Sequence, residues 1–272
     1  MSPLFDSSTP DLALLCGEMQ MLSMQVGQFI REEKKKFSSA SVEEKQHAGL
    51  VSYVDKTAEE KFIEGLTRIW NVPGIIGEEN TGDRKSDRFN WIIDPLDGTT
   101  NFVHGIPFYA TSIALADGKE ILAGVIYEIN MDECFYAYKN GGAWMNGEKI
   151  GVSTESELKN CLLGTGFPYA GKDEHEKYVQ LFSYLQLHSR GIRRPGSAAT
   201  DIAYVACGRF DAFYEYNLSP WDVAAGKILV EEAGGFTSEF NGGNDPVFGK
   251  TFVCGNKKIQ KEITSIIQQY FI

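Results

Sequence analysis

Leu12, Leu15, Met19, Leu22, Val26 and Phe29 recur at steps of three and four, the period of one helical face. The chain therefore opens on an amphipathic helix with its apolar side toward a core. Thr9-Pro10 reads as its start, a capping hydroxyl followed by proline at the first helical position. Residues 31–49, "REEKKKFSSASVEEKQHAG", lack a strong apolar anchor and read as a solvated helix end and loop, or more sharply as a mobile lid over a site. Helical spacing returns from Lys56 to Trp70, with Phe62, Ile63, Leu66, Ile69 and Trp70 on one side. Beyond Trp70 the pattern shortens to strands at 74–80, 89–94, 109–116, 121–129 and 133–140, and "NGG" at 140–142 marks a hairpin turn. The second half alternates: a strand at 161–167, a helix from Glu174 to Leu187, a helix at 197–208 and a strand at 209–216. Ser219-Pro220 then opens a helix running to Gly234, followed by a strand near Phe252 and a last helix from about Lys257. This mixture predicts an α/β fold with antiparallel hairpins in its first half. With no repeat and no linker, it reads as one domain over 1–272, an α+β half to about residue 150 and an α/β half from about 151.

Composition narrows the partners. Of 272 residues, 43% are apolar and 23% charged, ordinary for a soluble globular chain, but the net charge is −11. A nucleic-acid backbone is a poor partner for such a surface, and an anionic ligand would need a cation to mediate. Cys16, Cys134, Cys161, Cys207 and Cys254 are scattered, odd in number and never in C-x-x-C spacing, which reads as free thiols in a reducing compartment. No apolar run approaches the ~18 residues of a membrane span. The expectation is a cytoplasmic protein with no membrane or nucleic-acid partner.

The chemistry sits in acids that end apolar runs. Glu78 and Glu79 follow "GIIG", Asp94 and Asp97 follow "WII" in "WIIDPLDGTTNF", and Asp222 lies at the start of the helix "SPWDVAAGKILVEEAGG". Each has an ordinary explanation alone: an exposed turn, turn chemistry, or an acid at a helix N-terminus. Together they are oxygen-only ligands suited to Mg²⁺, Mn²⁺ or Ca²⁺, and no His/Cys cluster suggests zinc. In "DPLDGTT" a tight turn would aim the N–H groups of Gly98, Thr99 and Thr100 outward, an anion seat if a short helix starts there. Cation ligands beside anion donors suit metal-assisted phosphoryl chemistry.

At these residues the chain resembles the inositol monophosphatase family of Mg²⁺-dependent, lithium-sensitive phosphomonoesterases. The motifs are "GEEN" (77–80), "WIIDPLDGTTNFVHGIPFYATSIAL" (91–115), "PGSAATDIAYVACGRFDAFYE" (195–215) and "PWDVAAGKILVEEAGG" (220–235), in the family's order over nearly the whole length. The resemblance implies a layered α/β sandwich of alternating helix pairs and β-sheets, like inositol monophosphatase and fructose bisphosphatase, and a homodimer. It implies two or three Mg²⁺ ions, with Mn²⁺ as a substitute. Glu78, Asp94 and the Leu96 carbonyl would hold the first; Asp94, Asp97 and Asp222 the second; a third would sit near Glu78. Thr99, supported by Asp55, would orient the attacking water, the Gly98 and Thr99 amides would hold phosphate, and Glu215 and Ala198 would meet the substrate's hydroxyls. His104 would be a structural hydrogen-bonder. Where the family carries D-L-V-T ahead of the supporting acid, this chain has Gly49-Leu50-Val51-Ser52. The implied reaction is hydrolysis of a small phosphate monoester, first myo-inositol monophosphate. Alternatives are fructose 1,6-bisphosphate, the 2′-phosphate of NADP, an adenosine bisphosphate, or a non-catalytic scaffold that keeps the fold. The Arg193-Arg194 pair reads as a solvated basic turn, or as a seat for an extra phosphate if it faces the cleft.

Overall fold

A computed structural model describes residues 4–5, 10–37, 42–44, 50–167 and 172–271. In chain order its elements are α1 (Leu12–Lys36), β1 (Val42–Glu44), β2 (Leu50–Ser52), α2 (Tyr53–Ile69), β3 (Gly74–Gly77), β4 (Phe89–Asp97), α3 (Thr99–His104), β5 (Ala110–Asp117), β6 (Glu120–Glu128), β7 (Glu133–Tyr138), β8 (Gly142–Met145) and β9 (Glu148–Lys149). The second half adds β10 (Leu162–Thr165), α4 (Lys172–His188), β11 (Gly191–Arg193), α5 (Ala198–Ala206), β12 (Ala212–Tyr216), α6 (Pro220–Glu232), β13 (Phe236–Ser238), β14 (Thr251–Gly255) and α7 (Lys257–Phe271).

The apolar stripe of α1 is buried as its spacing requires, at Leu15, Met19, Leu22, Val26 and Ile30. Its cap is Asp11, whose carboxylate accepts from the N–H groups of Ala13 at 2.8 Å and Leu14 at 3.2 Å, two donors satisfied by one side chain, whereas Thr9 lies outside the described residues. The helix also runs past Phe29 to Lys36, into the segment read as loop or lid. Tertiary tethers replace the apolar period there: Arg31 donates to the Tyr127 hydroxyl at 3.0 Å, and Lys34 donates to the Phe102 carbonyl while lying over that ring. Residues 38–41 and 45–49, the rest of the lid reading, lie outside the described residues, including Gly49.

Two sheets carry the fold. One has seven strands in order β3-β4-β5-β6-β7-β8-β9, antiparallel except for the parallel pair β3–β4. The other has five, β11-β10-β12-β14-β13, with β10 parallel to both β11 and β12. Helices α1 and α2 cover one face of the larger sheet, α5 and α6 lie between the sheets, and α4 and α7 cover the outer face of the smaller one. The result is the layered sandwich of alternating helix pairs and sheets, with a separate apolar core between successive layers. The middle helices are lined with Ala and Gly because backbones approach closely there. A Cβ on Gly226 would come within 2.5 Å of Ile202, and one on Gly124 of β6 within 2.8 Å of the Ala225 Cα.

Candidate active site

The carboxyl ends of β3, β4, β10 and β12 open on one cleft, the place where α/β sheets commonly bind ligands. β4 brings two acids there through an irregularity. Asp94 pairs with Ser112 and Asp97 with Ala110, so three steps along β4 match two along β5. This is a bulge of one extra residue. Pro95, which has no ladder N–H to lose, lies in it, and Leu96 turns fully into the core while its N–H donates to Asp94 Oδ1 at 3.0 Å.

Asp94, Asp97 and Asp222 each present a carboxylate oxygen within 4.8 Å of the others. Asp97 is fixed from the second half: Ser197 Oγ at 2.6 Å and Ala199 N–H at 2.7 Å both donate to its Oδ2. Asp222 accepts the Ser219 N–H at 2.6 Å on its Oδ2, so the acid that closes the helix start also faces the cleft. Glu78 lines the same cavity, with its N–H bonded to the Ile93 carbonyl at 3.1 Å. Such a set of oxygen ligands, with Asp94 buried and the others half-buried, fits hard divalent cations.

Thr99 Oγ1 donates to Asp55 Oδ1 at 2.8 Å and lies 3.0 Å from the Leu96 carbonyl. Asp55 is fully buried and held at its other oxygen by the Ser52 N–H at 2.9 Å and hydroxyl at 2.6 Å, the capping box of α2. A short helix does start at Thr99, with Gly98 at φ 92°, a left-handed conformation that costs glycine little. Its first N–H groups have no partner inside the helix.

Glu215 and Ala198, expected at the substrate's hydroxyls, also come together. Glu215, from β12, and Ala198, at the start of α5, line a cavity of about 310 Å³ with Gly166, Phe167, Arg194 and Asp201. Gly166 leaves room for the Glu215 carboxylate, which a Cβ there would meet at 2.0 Å and have to displace. The Arg193-Arg194 pair divides: Arg193 ends β11 outside the cavity lining, and Arg194 lines the cleft. His104, by contrast, is exposed and makes no hydrogen bond among the described residues, because α3 turns it outward at its last residue.

Glu59 escaped the sequence reading. It is fully buried on α2 and grips the loop that carries Glu78: Oε2 accepts the Glu79 N–H at 2.8 Å, and Oε1 accepts the Thr81 N–H at 2.8 Å and hydroxyl at 2.7 Å. A Cβ on Gly77 would come within 2.4 Å of Glu59 Oε2. The signal was present, since Asp55 and Glu59 continue the stripe of Ala58, Phe62 and Leu66 on an inward helical face. Glu59→Gln keeps the shape but replaces one acceptor oxygen with a donor that must face an N–H. We expect a folded protein that needs about tenfold more divalent cation for half-maximal activity, as one charge-assisted hydrogen bond is worth. An unchanged cation requirement would detach Glu59 from the positioning of Glu78.

Burial, then the neighbouring charges of Glu78, Asp97 and Asp222, drives the Asp94 pKa well up. Burial likewise raises Asp97 to about 6, against the opposing hydrogen bonds from Ser197 and Ala199. Asp222 is raised by burial and by Asp97 and Glu78, and Glu215 goes up to about 8 by burial, opposed by Arg194. Acids with raised folded pKa values contribute stability below their unfolded pKa and lose it as pH rises through the folded value. The metal-free protein is therefore expected to melt at a lower temperature at pH 8 than at pH 6, and Mg²⁺ should close most of that gap. Equal melting temperatures without metal would mean the acids are not crowded as described.

Whole-chain comparisons give the family. The model of the inositol monophosphatase family matches residues 13–271, and the chain belongs to that family. An inositol-1-monophosphatase of Rhizobium meliloti is 38% identical over 256 residues, 94% of this chain and 96% of that one. A fructose-1,6-bisphosphatase/inositol-1-monophosphatase of Aquifex aeolicus is 33% identical, covering 90% of this chain and 91% of its own. The crystal structure of the extragenic suppressor protein suhB from Bartonella henselae superposes with a TM-score of 0.87 at 38% identity, over 93% of this chain and 98% of that one. The fold is that of the inositol monophosphatases and the protein is a phosphatase of that family. Among the described residues, no helix is long and apolar enough to cross a membrane.

Proposed function

We propose that this chain hydrolyses small phosphate monoesters, myo-inositol monophosphate first among them, with two or three Mg²⁺ ions that Mn²⁺ can replace. The observation that carries this reading is the convergence of Asp94, Asp97 and Asp222 beside the start of α3 and the Thr99–Asp55 pair. Glu78, Asp94 and the Leu96 carbonyl would hold one ion, Asp94, Asp97 and Asp222 a second, and Glu78 would border a third. When bound, such ions acidify a water and neutralise charge on phosphate and leaving oxygen. Phosphate monoester hydrolysis is so slow unassisted that roughly 20 kcal/mol of barrier must be removed, and one general base supplies only ~10²–10⁴ in rate.

The chain's own groups divide the rest of the work. With its proton donated to Asp55, the Thr99 hydroxyl presents a lone pair to the attacking water. The Gly98 and Thr99 N–H groups seat the phosphoryl oxygens. Glu215 and the Ala198 backbone meet the hydroxyls of the leaving group. A homodimer, lithium inhibition and a cytoplasmic location belong to the same proposal. The Aquifex relative keeps fructose 1,6-bisphosphate as a second reading.

The deciding experiment is phosphate release from a panel of inositol, sugar and nucleotide phosphates, with and without Mg²⁺. Mg²⁺-dependent release that favours inositol monophosphate supports the proposal. No release from any ester would leave a non-catalytic scaffold.

A further inference from the structure

The cleft contains more negative charge than two divalent cations can offset once a phosphate enters. Glu78, Asp94, Asp97 and Asp222 together match the charge of two such ions, so a phosphate dianion must be offset by a third ion or by a cationic side chain of the protein. The two cavities that meet here, each of about 310 Å³, share Glu78, Asp97, Arg194, Gly196 and Asp222. Arg194 is the single cationic side chain lining either of them, among the described residues.

Its surroundings leave its hydrogen-bonding capacity unused. Arg194 is exposed and makes no hydrogen bond or ion pair among the described residues. Its guanidinium lies 5.9 Å from the centre of the Phe167 ring, a contact that consumes no donor. Gly196 gives it room: a Cβ there, at φ 100°, would stand 3.0 Å from Arg194 Nη1. On one side Arg194 faces the cavity of Gly98, Thr99 and Thr100; on the other it faces the cavity of Glu215 and Asp201.

Building on the phosphatase reading, we infer that Arg194 is a substrate-binding residue whose guanidinium contacts the scissile phosphoryl group and, after hydrolysis, the inorganic phosphate product. The alternative occupant, a second phosphate on the leaving group, is disfavoured by the far cavity. Glu215 and Asp201 form its wall, and Asp201 Oδ1 is buried without a hydrogen-bond partner. A second dianion there would face two acids, whereas neutral hydroxyls can donate to them. Arg194 thus offers its planar fork to the phosphoryl group while its charge also acts on Glu215 and Asp201, whose oxygens are left to accept from the hydroxyls.

The test compares the full-length wild type with Arg194→Gln and Arg194→Lys at saturating Mg²⁺. The readouts are KM for myo-inositol 1-phosphate and for fructose 1,6-bisphosphate, calorimetric binding of inorganic phosphate, the Mg²⁺ requirement and the melting temperature. Arg194→Gln should weaken phosphate binding and raise both KM values by about tenfold to a hundredfold. Arg194→Lys should fall between, keeping the charge but not the fork. Melting temperature and Mg²⁺ requirement should not move. Unchanged phosphate binding would overturn the inference, and so would a loss confined to the bisphosphate, or a loss that follows the Mg²⁺ requirement or the melting temperature. A wild type that turns over no ester defeats the phosphatase reading instead, while phosphate calorimetry still tests Arg194.

Discussion

Asp94→Asn is expected to lower turnover by more than about a thousandfold while the protein still folds. The substitution keeps the shape of a side chain that is only 1% exposed and keeps an acceptor for the Leu96 N–H. It removes the charge placed among Glu78, Asp97 and Asp222. Losing one preorganised electrostatic contact costs ~2.7–4 kcal/mol. Asp94 is proposed to serve two ions at once, so its loss should exceed that range. Stability should not suffer, because the crowding that raises its pKa disappears with the charge. Steady-state turnover at saturating Mg²⁺, read beside a melting curve, checks both halves. Near-normal turnover would remove Asp94 from the site.

The second large effect is expected at Thr99. Thr99→Val keeps the branched shape and deletes the hydroxyl that bonds to Asp55 at 2.8 Å. If that hydroxyl orients the attacking water, kcat falls by about 10²–10⁴ with little change in KM. Thr99→Ser should recover most of the rate, because it restores the oxygen. A valine variant that keeps its kcat, or a serine variant as poor as valine, would return Thr99 to a purely structural role at the start of α3.

Much of this arrangement was legible in the chain because the signals are local. The strand ending in "IIDPLD" shows its apolar run and its turn residues together, and the Ser219-Pro220-Trp221-Asp222 start of α6 is a cap within four residues. What could not be read was pairing. β11 is three residues long and exists by lying parallel to β10, across the whole of α4, so no local alternation announces it. β13 is equally short. The end of α1 was missed because Arg31 and Lys34 hold it by reaching distant partners, not by an apolar period. Likewise the acids could be proposed to meet only through a family resemblance. That Asp97 is gripped by Ser197 and Ala199, a hundred residues onward, is a fact of the fold alone. Glu59 was overlooked for the opposite reason: its position was plain, but an acid on an inward face looks like an error of pattern until the loop it holds is seen.

The placement of α6 between the two sheets has a consequence for how the chain is made. Synthesis delivers Asp94 and Asp97 with the seven-stranded sheet, long before Asp222 leaves the ribosome. A nascent chain that has folded only through β9 carries an incomplete acid cluster and none of the second-half donors that steady Asp97. Cation capture at the proposed ligands would therefore wait until the last layers dock, so the ions would recognise a finished molecule and reward its completion without templating its beginning.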